Sequence, residues 1–130
     1  MDPHLTLALL DGRDDGEPSY SSSLVQTCHR LRRKPLVQFT AEDFRILLGQ
    51  DISVDVLLPL ALTVLEEDPL VEGDHYPGDL LVAALRVAPA YFIAHPEVGV
   101  RLRVVYGRAR TTLLDRGRRT TEIDEAAAGW

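Results

Sequence analysis

The chain has 130 residues, 45% of them apolar but only 6% aromatic, and a net charge of −6. That length suits one domain with a core resting on Leu, Val, Ala and Ile, and the few aromatics argue against a base-stacking surface for single-stranded nucleic acid. Cys28 is the only cysteine, which rules out an internal disulfide and speaks against a thiolate zinc site.

The first element is ambiguous. Residues 1–20 read as a flexible acidic leader, with a turn-rich DGRDDGEPS at 11–19. The preceding LTLALL suits a short strand or a helix equally. Asp2 stands where a signal peptide would be basic, and no apolar run approaches the ~20 residues of a membrane span. These features lead us to expect a soluble, cytoplasmic protein.

A helix should start at one of Ser21–Ser23, whose hydroxyls can cap the first turn. Leu24, Cys28 and Leu31 share its apolar face, and Pro35 stops it. In TAED, Thr40 and Asp43 form a capping-box pattern. The helix it opens carries Phe44, Leu47 and Leu48 and should end near Gly49. From Val54 to Glu67 the sequence is apolar nearly all round, which predicts a surrounded central helix. Pro59 is tolerable there if the helix begins around Asp55. Pro77 suits a first helical position, which would put Asp79 third, beside exposed N–H groups. Pro89 and Pro96 should open two more helices. On the last of these, Val98, Leu102, Val105, Tyr106, Ala109 and Leu113 form one stripe, flanked by arginines. Residues 115–130 show no core periodicity and read as a disordered tail. The expected fold is all-α: one compact domain over 21–114, with about six short helices around a Leu/Val/Ala-rich central helix.

Charge is segregated along the chain. Residues 24–39 sum to +4, 40–80 to −9 and 81–121 to +6. Between Glu66 and Asp79 lie six carboxylates and no Lys or Arg. An acidic centre repels nucleic acid and attracts a protein with a basic surface. The arginines after Arg101 line opposite sides of an apolar stripe and so make no single basic face.

The acidic segment continues into EGDHYPGD at 72–79. Asp74, His75 and Asp79 are metal-ligand types, but Pro77-Gly78 breaks the continuous helix that a His-plus-four pair needs. No metal or other cofactor is expected. Cys28 and His29 point about 100° apart on a helix and cannot work as a nucleophile and its base. No nucleophile elbow, phosphate-binding loop or dinucleotide fingerprint is present, so no catalytic residues are assigned. The remaining readings are a connector with good helix caps and a protein-docking surface. For docking, Glu66, Glu67, Asp68, Glu72, Asp74 and His75 are the candidate partner-facing residues. Gly73, Tyr76, Pro77, Gly78 and Asp79 shape the loop and start the next helix.

Three stretches in order, LRRKPL at 31–36, EDFRILLGQ at 42–50 and EGDHYPGDLL at 72–81, resemble a helical family of bacterial contact-dependent growth inhibition immunity proteins. The resemblance covers about residues 20–110, with its motifs within 31–81. It implies a non-catalytic inhibitor that binds and occludes the toxic domain of a delivered effector, many of which are nucleases with basic clefts. The alternative from another class is a helical scaffold or adaptor with no toxin partner.

Overall fold

The computed structural model describes residues 2–12 and 22–130, which form eight α-helices and one 3₁₀ turn, with no strand. Met1 and residues 13–20 of the expected leader, and Ser21 among the candidate caps, lie outside the described residues.

At the start of the chain, the LTLALL run takes the helical of its two readings and docks on the domain. Helix α1 (Leu7–Asp11) is capped by the Thr6 hydroxyl, which accepts from Leu9 N–H at 3.2 Å, and it ends at Gly12 with φ 66°. Leu7 is fully buried, Leu36 N–H donates to the Leu5 carbonyl at 2.8 Å, and Arg32 pairs with Asp11 at 2.6 Å. Burying one leucine and closing these bonds holds the segment to the domain.

Helix α2 (Ser23–Arg32) takes Ser22 as its cap, with Val25 N–H donating at 3.1 Å. Of its expected apolar face, Leu31 is buried while Leu24 remains exposed. A 3₁₀ turn (Leu36–Gln38) leads into α3 (Ala41–Gly49), which forms the expected capping box. Thr40 Oγ1 accepts from Asp43 N–H at 3.2 Å, and Asp43 Oδ2 accepts from Thr40 N–H at 3.0 Å. Lys34 meets the same carboxylate at 2.6 Å.

Helix α4 spans Val54–Glu67 as expected and buries Leu57, Leu58, Ala61, Leu62 and Leu65. Pro59 falls in its second turn, not the first, so the Asp55 carbonyl loses its usual donor. Asp55, Thr63 and Glu67 stay exposed. The element that is surrounded is the shorter α5 (Asp79–Leu85), in which every side chain but that of Ala83 is buried. It packs against α3, α4, α7 and α8.

Pro89 and Pro96 open α6 (Pro89–Ala94) and α7 (Pro96–Asp115) at the first helical position. The predicted stripe on α7 faces the core through Val98, Leu102, Val105 and Ala109. The tail corrects the expectation of disorder over 115–130. Residues Thr121–Ala127 form α8, which lays Ile123 into the core against α5. The Trp130 indole N–H donates to the Leu85 carbonyl at 3.1 Å, its ring lies 4.4 Å from that of Phe92, and Arg103 stacks over it. One isoleucine and one tryptophan carry no periodicity for a sequence pattern to reveal. They are nonetheless enough to seat a seven-residue helix.

Candidate protein-docking surface

The acidic segment starts at the C-terminal end of α4 and runs through the loop that enters α5. Asp68 ends α4 and turns its carboxylate onto Leu70 N–H at 3.2 Å. Gly78 N–H returns to the Leu70 carbonyl at 3.2 Å, and Glu72 and Pro77 form a single antiparallel bridge. The chain therefore folds back on itself between residues 70 and 78.

Asp79 sits differently from the position expected for it. Pro77 is outside the helix, Gly78 is the cap with φ 96°, and Asp79 is the first helical residue. A left-handed φ of this kind favours glycine. The Asp79 carboxylate turns away from the free N–H groups of its own helix and back into the loop. It accepts from Gly73 N–H at 2.6 Å and from His75 N–H at 3.0 Å. The residue is only 3% exposed. His75 thus meets Asp79 through its backbone, not its ring, and no group of three His, Cys, Asp or Glu among the described residues could hold a metal.

Between those two amides, Asp74 N–H donates to Glu42 Oε1 on α3 at 3.0 Å. Arg45, one turn along α3, grips Glu42 with two parallel bonds of 2.6 and 2.5 Å and lies 3.9 Å from Asp79. The Arg45 hydrogen bonds lower the Glu42 pKa, with the Asp74 amide adding to the effect. Sequence reading missed Glu42 and Arg45 as parts of this site. The available signal was their place in EDFRILLGQ, one of the three stretches that carry the resemblance.

The six partner-facing candidates divide. Glu66 is engaged by Arg101, with one bond at 3.1 Å, and Arg108 donates to the Glu66 carbonyl at 2.9 Å. Hydrogen bonding to Arg101 lowers the Glu66 pKa. Glu67, Asp68, Glu72, Asp74 and His75 are exposed, and among the described residues none of these four carboxylates forms an ion pair. Tyr76 is also exposed, at the rim of a cavity of about 380 Å³ lined by Arg45, His75, Asp79, Val82 and Arg86.

The braced, exposed acidic loop of this small all-α domain is the candidate docking surface. The family model of CDI immunity proteins matches residues 9–102, and the chain belongs to that family. Membership makes it a toxin-neutralising immunity protein, of a kind that is generally non-catalytic and binds a cognate toxin. No curated protein and no solved structure matches the chain. Among the described residues, no helix is long and apolar enough to cross a membrane.

Proposed function

We propose that the chain neutralises its toxin in the cytoplasm by non-catalytic occlusion, docking its acidic loop on a basic surface of the toxin such as a nuclease cleft. One observation carries this reading. After Arg45, Arg101 and Arg108 have taken Glu42 and Glu66, the exposed carboxylates of Glu67, Asp68, Glu72 and Asp74 remain without ion-pair partners among the described residues. Their uncompensated field steers a basic partner toward the loop, which suits an inhibitor that must arrive before damage is done. His75 and Tyr76 supply amphipathic contact area beside the charges.

The test is a triple substitution, Glu67→Gln, Asp68→Asn and Asp74→Asn, followed by stopped-flow association with the toxin domain. Association should slow roughly tenfold at low salt, and the gap from wild type should close at about 1 M salt, where charges are screened beyond ~3 Å. Thermal stability should stay nearly unchanged. An unchanged association rate would exclude electrostatic steering by this face.

A further inference from the structure

We infer that Glu42, Arg45 and Asp79 are positioning residues for toxin capture. They fasten the 72–78 loop in its binding shape before the toxin arrives, without themselves meeting it. The inference rests on the docking surface proposed above and adds how that surface is held.

Three successive backbone donors, Gly73, Asp74 and His75, are taken by two carboxylates in the order Asp79, Glu42, Asp79. Successive N–H groups that converge in this way make a natural anion-binding concavity. Here the anions are the protein's own. One comes from the first residue of α5 and the other from the first turn of α3, so the loop is stitched to two core helices. Arg45 lies between the two carboxylates and offsets the repulsion of two neighbouring negative charges. Gly73 allows the close approach, because a Cβ there would lie 2.6 Å from Glu42 Oε1 and 3.0 Å from Asp79 Oδ2.

The consequence is a division of labour between two sets of acids. Exposed Glu67, Asp68, Glu72 and Asp74 act at long range and set how fast the toxin is found. Glu42 and Asp79 use their charge locally, on backbone N–H groups and Arg45, so they add little to steering. What they do is remove loop disorder from the binding step, because ordering a residue on contact costs affinity. That contribution appears in how slowly the complex dissociates.

The experiment compares Glu42→Gln and Gly73→Ala with Glu67→Gln in the full chain. It measures amide exchange at residues 73–75 in the free protein, then association and dissociation with the toxin domain. Glu42→Gln and Gly73→Ala should raise exchange at those amides and speed dissociation about tenfold, as expected for re-ordering one or two residues. Gly73→Ala changes no charge, so its association rate and salt slope should stay near wild type. Glu42→Gln frees the Arg45 charge beside the loop and should slow association only a few-fold at low salt, with no gap at about 1 M salt. Glu67→Gln should do the reverse, slowing association and leaving exchange unchanged. Unchanged protection at 73–75 in Glu42→Gln would overturn the inference. So would raised exchange with unchanged dissociation, since the loop would then be fastened but not gripped. Either failure leaves the association test of the docking face to be judged separately. Asp79→Asn is a third variant, informative only alongside these two because its burial puts folding at risk.

Discussion

At the scale of single residues, the side chains that matter most are those with the least freedom. Gly73 faces carboxylate oxygens where any other residue would place a Cβ, and Glu42 can yield only by disturbing its two bonds to Arg45 and its bond to the Asp74 amide. Gly73→Ala should therefore cost about 1–3 kcal/mol in urea unfolding, the usual range for overpacking. Glu42 also makes a prediction about acid. Its folded pKa lies below the ordinary 4.5, so its contribution is fully present above that value and is lost as pH falls through the lowered one. Urea stability should decline as pH drops below 4.5, and Glu42→Gln should make that decline shallower. Neither the partners of Asp79 nor the role of Glu42 was legible in the sequence. A carboxylate at a helix start has local amides within reach, and only the folded loop offers better-placed ones.

At the scale of elements, caps and prolines are local chemistry and were legible. The Thr40–Asp43 box and the starts at Pro89 and Pro96 stand where the residues imply them. Thr40→Ala should cost about 1 kcal/mol, the typical value of an N-cap, measurable by urea titration. Helix α8 was not legible and α1 was legible only as one of two alternatives, because each is short and is anchored by a single buried apolar side chain, Leu7 or Ile123. Ile123→Ala should destabilise the fold by roughly 2–5 kcal/mol, as core truncations do. A disordered tail would show no change in thermal or urea unfolding. The centre of the fold moves for a related reason. Helix α4 has the longer apolar run, but α5 is the one enclosed by four neighbours.

At the scale of the whole molecule, charge that is segregated along the chain is partly re-mixed by folding. The stretch from Glu66 to Asp79 contains no basic residue, yet Arg101 and Arg108 from α7 and Arg45 from α3 reach its two ends. The acidic face that remains is smaller than the sequence count and is concentrated at Glu67, Asp68, Glu72 and Asp74. Arg101→Gln should enlarge it by freeing the Glu66 carboxylate. Association with the toxin should then quicken a few-fold at low salt. Stability should change by less than about 1 kcal/mol, because exposed ion pairs contribute little.

The sequence by itself determined the helical class, most helix starts, the apolar stripe of α7 and the acidity of the segment after α4. All of these follow from residue type and spacing within a few turns of chain. The three stretches that carry the family resemblance were legible for the same reason. Tertiary structure alone decided that Glu42, Arg45, Gly73, Asp74 and Asp79, from two of those stretches, are linked by hydrogen bonds and ion pairs at one place. It also decided which acids are consumed there and which face outward. A carboxylate takes whichever donors surround it, and long-range packing brings those donors from residues up to 35 positions away.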